Sequence, residues 1–448
     1  MTADLFADRW GVPVTTTDAE ARRCWDRAVG ELVAFAGDPA RSACEALDAD
    51  AGFGEARAFC AYIELYAQSS DGVGRARRLL DAAPEGAGRR GELHLRAARA
   101  WTAGHLDEAA RHLEAALVAD PHDLLALRVA QDLYFFLGDG RSLRQSTARV
   151  VRRWPSDEPG AGYVQGMYSF GLEESGDYRR AEAAAGAALH ADPADVWAVH
   201  TLAHIAEMEG RPDDGIAELR ARAATWNPSY FAVHNWWHLG LYLVARGDYI
   251  EAVTLYDTTI RAGESSAWLD LVDAASLLWR LGLYGVDVAE RAAHLAPVLE
   301  AMAGSGISAF NDWHAVMVFG LAGRRDLCDR VLAGIGRTAG SNVAAVDGAG
   351  RAVIEAFSGF AAGDFAAAAA ALFAVRPRAQ LLGGSHAQRD AIDLTLIAAA
   401  VSAGDNALVR ALVDERLESR AGSTGPIERL VSSSGALRRG RSGGPAPR

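Results

Sequence analysis

The chain has 448 residues, of which half are apolar and 23% are charged. This balance is typical of a soluble globular protein and excludes a wholly disordered or collagen-like chain. All 45 basic residues are Arg, and 58 acidic residues bring the net charge to −13, which argues against nucleic-acid binding because phosphate neutralisation is the main source of that affinity.

The N-terminal segment and the cysteines indicate the compartment. Residues 1–12 are acidic and lack the apolar stretch of a signal peptide. No segment of the sequence is apolar over the length that a membrane-spanning helix needs. The four cysteines (Cys24, Cys44, Cys60 and Cys328) are widely separated, which argues against a thiolate zinc site and against a disulfide-rich secreted domain. We expect a cytoplasmic protein with no membrane partner.

Helical periodicity continues along the chain, with apolar residues at i, i+3, i+4 and i+7 in segments separated by short breaks. Gly-Asp marks the breaks in 175–184, 246–255 and 362–371, and Asp-Pro marks those in 118–123 and 190–195. Alternating β-branched runs and Asn-Gly turns, the usual signals of strands, are nearly absent. The sequence therefore predicts an all-α fold made of helix pairs.

The breaks recur at a near-fixed period. In the segment from Gly162 to Pro193, small residues stand at the eighth, twentieth and twenty-seventh places as Ser169, Ala181 and Ala188. This spacing resembles the tetratricopeptide repeat, in which small residues lie where the two helices of a pair cross and a proline ends the second helix.

Such pairs bury their apolar faces by stacking on their neighbours. We therefore predict one α-solenoid with a concave inner face over residues 1–432, with the clearest repeats in 88–262. Residues 433–448 are rich in Gly, Ser, Pro and Arg, and this composition predicts a disordered tail.

Two histidine pairs stand on the first helices of adjacent repeats. His200 and His204 lie four residues apart on one helix, and His234 and His238 lie four apart on the next. Residues at this spacing share a helix face, and Glu207 falls on the face of the first pair. Because the first helices of tetratricopeptide repeats line the concave surface, we expect these five residues to converge there.

Three interpretations of this set remain open. Two imidazoles at i and i+4, completed by the neighbouring pair and a carboxylate, can bind a divalent metal such as Zn or Fe. The same residues can instead form a catalytic acid–base relay near pH 7. They can also form a purely structural hydrogen-bond network. The spacing does not match the His-Glu-x-x-His motif of metalloproteases.

Other first helices carry further polar and aromatic residues of the kind that lines small-molecule pockets. Among them Arg389 is the expected anion-binding group, because a guanidinium can hold a carboxylate or phosphate through two hydrogen bonds. The expected ligand-binding residues are Tyr168, Glu174, Trp237, Asp273, Asn311, Asp312, His314, His386, Gln388, Arg389 and Asp390.

Longer strings in the sequence resemble the tetratricopeptide repeat protein 38 family. They are LALRVAQDLYFFLGD (125–139), YVQGMYSFGLEESGDY (163–178), DVWAVHTLAHIAEMEGR (195–211), VHNWWHLGLYLVARGDYIEAVTLYDTTI (233–260), FNDWHAVM (310–317), GGSHAQRD (383–390) and TGPIERL (424–430). The resemblance runs from about Trp10 to about Val431 and implies an α-helical repeat fold without an established activity. Family members carry His where this chain has Gln131, and some carry Asn at the position of His386. A mechanism that needs either histidine would therefore not be common to the family, whereas both histidine pairs match.

Two functions follow as alternatives. The first is an enzyme or small-molecule binder with its pocket on the concave face. The second is an interaction scaffold that binds a peptide or partner protein in the solenoid groove. Peptide grooves usually expose Lys, Arg and Asn along several repeats, whereas this chain concentrates His, Trp and carboxylates and contains no Lys. The sequence therefore favours the pocket.

Overall fold

The computed structural model describes residues 6–420 and 424–441, with side chains as far as Ser434. The chain divides into two compact units. Unit 1 consists of the residues up to Ile205, Arg222–Ala232 and Ala339–Ser341, and unit 2 consists of Ala206–Ala221, Val233–Thr338 and the residues from Asn342 onward. The prediction of one continuous superhelix over residues 1–432 stays a prediction.

Unit 1 is built from consecutive helices. They are α1 (Ala19–Ala34), α2 (Pro39–Ala49), α3 (Gly54–Tyr66), α4 (Ser70–Asp81), α5 (Gly88–Thr102), α6 (Leu106–Ala119), α7 (Leu124–Leu137), α8 (Gly140–Val150), α9 (Ala161–Glu173), α10 (Tyr178–Ala191), α11 (Val196–Met208, assigned to unit 1 as far as Ile205) and α13 (Ala223–Trp226). A 3₁₀ turn, Val151–Arg153, follows α8.

Unit 2 continues in the same manner. Its helices are α12 (Pro212–Ala221), α14 (Ala232–Arg246, assigned to unit 2 from Val233), α15 (Tyr249–Leu255), α16 (Trp268–Leu283), α17 (Ala289–Met302), α18 (Ala309–Leu321), α19 (Arg325–Ile335), α20 (Asn342–Ala345), α21 (Arg351–Ala362), α22 (Phe365–Val375), α23 (His386–Ala403), α24 (Asn406–Ser419) and α25 (Thr424–Arg441). Two π-helical turns, Tyr256–Ile260 and Val346–Gly350, and a 3₁₀ helix, Arg376–Leu382, complete it.

The all-α prediction is confirmed. Across the described ranges the backbone forms helices and a single isolated β-bridge between Ala7 and Pro13, without a strand. None of the helices in the described part of the chain has the length and apolarity to cross a membrane.

Small residues lie at the helix crossings, as the repeat pattern predicts. In unit 1, Ser169 on α9 and Ala181 and Ala188 on α10 are fully buried. In unit 2, α12 approaches α14 so closely that a Cβ at Gly215 would overlap the Tyr242 ring. Small residues at such contacts leave room for the neighbouring helix, as they do in tetratricopeptide-like helix pairs.

Two Asp-Pro breaks end in an aspartate that caps the next first helix. The Asp123 carboxylate accepts a hydrogen bond from Ala126 N at 3.1 Å at the start of α7. Asp195 accepts from Trp197 N at 3.0 Å and from Ala198 N at 2.9 Å at the start of α11. Both carboxylates therefore satisfy backbone donors that a helix start leaves unpaired.

The surroundings of these two caps differ in charge. Burial alone would raise the pKa of Asp123, but the Arg90 guanidinium and the His94 imidazole outweigh it and hold this pKa well below its ordinary value. Arg90 donates two hydrogen bonds of 2.9 Å to Asp123. No described cation lowers the pKa of Asp195 in this way, and burial raises it to about 7.

Residues distant in sequence complete unit 1. Ser341 N donates to Gly104 O at 2.7 Å, and Leu106 N donates to Ser341 Oγ at 2.9 Å. Ser341 Oγ in turn donates to Asp107 Oδ1 at 3.0 Å. The short segment Ala339–Ser341 thereby satisfies backbone groups at the turn between α5 and α6.

The C-terminal helix enters the segment that composition predicts to be disordered. Helix α25 continues to Arg441, so residues 433–441 of the predicted tail have a helical backbone. The remaining tail residues, 442–448, lie outside the described residues.

Candidate functional site

The first histidine pair lies in the interior of unit 1. His200 is 2% exposed and His204 is fully buried, both on α11, and their ring centroids are 4.4 Å apart with the planes nearly perpendicular. The four-residue spacing puts both imidazoles on one face of α11, as predicted.

Two glutamates at the end of α9 approach this pair. His204 Nδ1 lies 3.3 Å from Glu173 Oε2 and 3.9 Å from Glu174 Oε1. One ligand atom from each of these three buried residues lies within 4.8 Å of the others. We call Glu173, Glu174, His200 and His204 the His204 cluster. One imidazole and two carboxylates are ligand types that zinc and iron accept, and they can equally share a proton.

Aromatic rings enclose His200. The ring centroid of Phe170 lies 5.2 Å from that of His200, and those of Trp197 and Phe231 lie 4.8 Å and 5.1 Å away. These rings exclude water, so charges within the His204 cluster interact more strongly than they would at the surface.

The second histidine pair lies in unit 2. His234 Nδ1 is 2.8 Å and 3.0 Å from the two carboxylate oxygens of Asp273. Its ring stacks on Trp237 at 5.0 Å and meets the His238 ring edge-on at 5.0 Å. Burial raises the pKa of Asp273, and the His234 imidazole opposes that rise. A carboxylate on one imidazole nitrogen fixes the ring and directs the other nitrogen, Nε2, toward proton transfer or metal binding.

The two histidine pairs belong to different compact units, so their convergence on one site stays a prediction. Glu207, predicted to join them, lies in unit 2 with Oε1 at 3.5 Å from Arg420 Nη1. Within unit 2 its carboxylate lies beside a group of arginines.

Helix α18 carries three of the expected ligand-binding residues, all of them buried: Asn311, Asp312 and His314. Burial lowers the pKa of His314 to about 3, so its imidazole is neutral, and its Nδ1–H donates to Phe310 O at 2.8 Å. Burial raises the pKa of Asp312 to about 6, while Gly304 N donates to Oδ1 at 2.7 Å. Each side chain makes one local hydrogen bond, while His314 Nε2 and Asp312 Oδ2 are buried without a hydrogen-bond partner among the described residues.

Three of the expected residues lie around the start of α23. Gln388 and Ser385 form a reciprocal capping box. Arg389 donates to the carbonyl oxygens of Gly383 and Gly384, and His386 is half-buried at the first position of the helix.

The remaining expected ligand-binding residues have identified partners. Tyr168 accepts a hydrogen bond from Arg180 at 2.5 Å, while Asp390 accepts two from Arg416, at 2.8 Å and 2.9 Å. Trp237 is fully buried, with the Arg280 guanidinium 5.6 Å from its ring centroid.

Sequence reasoning missed a group of arginines in unit 2. Arg280, Arg416 and Arg420 line a small cleft, partly open to solvent, together with Glu207 and Asp390. We call this the arginine cleft. Its one sequence signal was Arg280, a charged residue between the apolar stretches LLW (277–279) and LGL (281–283).

Comparison with known proteins gives distant likenesses. No family model matches the chain, so the resemblance to the tetratricopeptide repeat protein 38 family stays a prediction. Among solved structures, the chain is similar to the APC/C hetero-tetramer Cut9–Hcn1, with a TM-score of 0.44 and 14% identity over 92% of this chain and 76% of that one. It is also similar to yeast Tom70, with a TM-score of 0.33 and 12% identity over 96% of this chain and 98% of that one. Neither likeness is close enough to support a function.

Proposed function

We propose that this chain is a helical-repeat binding protein whose stacked helix pairs hold a partner protein or peptide. The observation that carries the proposal is the repetition in unit 1, where the pairs α5–α6, α7–α8 and α9–α10 follow one another with similar lengths. Repetition of this kind builds an extended binding surface, because each pair adds a similar helix face beside the last. The net charge of −13 favours a basic partner.

Panning a displayed peptide library against the full chain tests this proposal. We expect enrichment of Lys- and Arg-containing peptides that bind saturably in titration calorimetry, with an affinity that falls as salt rises. Scrambled versions of the enriched peptides, which keep the charge but lose the order, are the control. Failure to enrich any sequence, or equal binding of the scrambled peptides, would contradict a specific binding surface.

A second candidate function rests on the His204 cluster. In this cluster one imidazole lies close to two carboxylates. This arrangement favours binding of a divalent metal, Zn or Fe, or a role as an acid–base group. Binding would neutralise two buried carboxylates, which are otherwise expensive to keep charged. Enzymatic activity and a cytoplasmic location stay predictions.

Metal analysis of the purified chain tests the metal version. We expect about one equivalent of zinc or iron, which the His204→Ala variant loses and the His190→Ala variant retains, because His190 is exposed on α10. Circular dichroism checks that both variants fold. If the unsubstituted chain contains no metal and takes up neither ion on titration, the metal version is wrong.

A further inference from the structure

The arginine cleft in unit 2 contains more positive than negative charge. Three guanidinium groups, from Arg280, Arg416 and Arg420, face two carboxylates, from Glu207 and Asp390. All three arginines are nearly enclosed, with 3% of Arg280 exposed and side-chain exposures of 12% for Arg416 and 9% for Arg420. Charges held away from water need a counter-charge, and one of these three has no carboxylate of its own within the lining of the cleft.

The hydrogen bonds show which guanidinium has no carboxylate partner. Asp390 accepts two hydrogen bonds from Arg416, at 2.8 Å and 2.9 Å, and lies 3.2 Å from Arg420. Arg280 instead donates to the carbonyl oxygens of Ala387 and Gln388. Within the described part of the chain, no carboxylate oxygen lies within 4.0 Å of the Arg280 guanidinium. Arg280 is therefore held by neutral groups.

Donors in the cleft also remain for a ligand. Arg416 Nε is buried and has no hydrogen-bond partner among the described residues. The ion pair between Arg420 Nη1 and Glu207 Oε1 is long, at 3.5 Å. Burial raises the pKa of Tyr284, which lines the same cleft, so its hydroxyl stays protonated as a further donor.

A neighbouring group of charges lies outside the lining of the cleft. Asp393 lies one turn beyond Asp390 on α23, and its Oδ1 is 2.6 Å from Arg376 Nε. Arg376 is in turn paired with Glu415. One guanidinium there faces two carboxylates, and the Asp393 carboxylate also attracts Arg416 and Arg420 from a distance. None of these three groups lines the cleft.

We propose that the arginine cleft binds a small oxyanion, either a phosphate group or a carboxylate, through Arg420 and the free Nε–H of Arg416, with the charge of Arg280 beside it. Guanidinium groups match the planar or tetrahedral oxygens of such anions with short, charge-assisted hydrogen bonds. This binding site is separate from both proposed functions, which rest on unit 1.

Calorimetric titration of the full chain at low ionic strength tests the proposal, with inorganic phosphate and succinate as probes. We expect saturable binding of at least one of them, and the one that binds identifies the anion class. The Arg420→Gln variant should bind about tenfold more weakly, the loss expected for one charge-assisted hydrogen bond. Arg410→Gln, the same charge change at an exposed position of α24, should bind like the unsubstituted chain.

The Glu207→Gln variant gives an independent test with the opposite sign. It removes the carboxylate that competes for Arg420 and adds one net positive charge, so the anion should bind more tightly. Circular dichroism establishes that each variant folds. Absence of saturable binding of both probes, equal affinity in the unsubstituted chain and Arg420→Gln, or an affinity that Glu207→Gln leaves unchanged would each overturn the proposal.

Discussion

Replacing Asp195 by Asn is expected to stabilise the protein above neutral pH. The carboxyl titrates near pH 7 when folded, because burial raises its pKa, against an ordinary value of 3.8. A carboxyl with a raised folded-state pKa contributes most to the free energy of unfolding at a pH below its unfolded-state pKa. This contribution is lost as the pH rises toward 7. At about 1.4 kcal/mol per pH unit, the loss reaches about 4 kcal/mol by pH 8. Asn avoids the buried charge and still caps the helix.

Urea denaturation followed by circular dichroism at pH 5 and pH 8 measures this effect. The advantage of Asp195→Asn should grow by about 3 kcal/mol between these pH values, because most of the titration lies there. Asp123→Asn is the matched control, since Asp123 caps the equivalent helix but is paired with Arg90 and His94. It should destabilise by about 3 kcal/mol at pH 8, because it breaks a buried pair. An equal effect of Asp195→Asn at both pH values would refute the reasoning.

Two further changes test packing and capping by urea denaturation. Gly215→Ala should destabilise unit 2 by about 1–3 kcal/mol, because its Cβ would overlap the Tyr242 ring. Gly359→Ala is the control, because it lies in a helix of the same unit where an added Cβ meets only ordinary contacts. It should instead stabilise the protein by about 0.5–1 kcal/mol. Equal effects of the two substitutions would contradict the close approach at Gly215. Ser385→Ala should destabilise by about 1 kcal/mol through loss of the capping box with Gln388, whereas Ser385→Gly should lose only a few tenths; similar losses would contradict the capping role.

The fold was predictable because its determinants are local. Periodic apolar residues predict helices, and the recurring small residues, such as Ala181, mark the crossings because nothing larger fits there. The Asp-Pro breaks predict helix ends from the chemistry of the backbone alone. The division into two units was not predicted, because it depends on contacts among residues far apart in the sequence.

The candidate site was only partly predictable for the same reason. The i, i+4 spacing correctly places His200 and His204 on one face, but it does not indicate that Glu173 approaches them from α9. Asp123 and Asp195 end the same type of break, yet their pKa values shift in opposite directions, because only one of them meets an arginine. Arg416 and Arg420 look like ordinary surface residues of an arginine-rich chain, and only tertiary packing brings them to Arg280.

The hydrogen bonds of Ser341 with Gly104 and Leu106 have a consequence for folding during translation. Unit 1 contains most of its helices within the first 205 residues, but the partners of these backbone groups lie 235 positions later. At about 5–20 residues per second, the ribosome delivers Ser341 on the order of ten seconds after Ile205. During that interval the turn between α5 and α6 must hydrogen-bond to water or to a chaperone, so unit 1 acquires its last contacts only after about half of unit 2 has been translated.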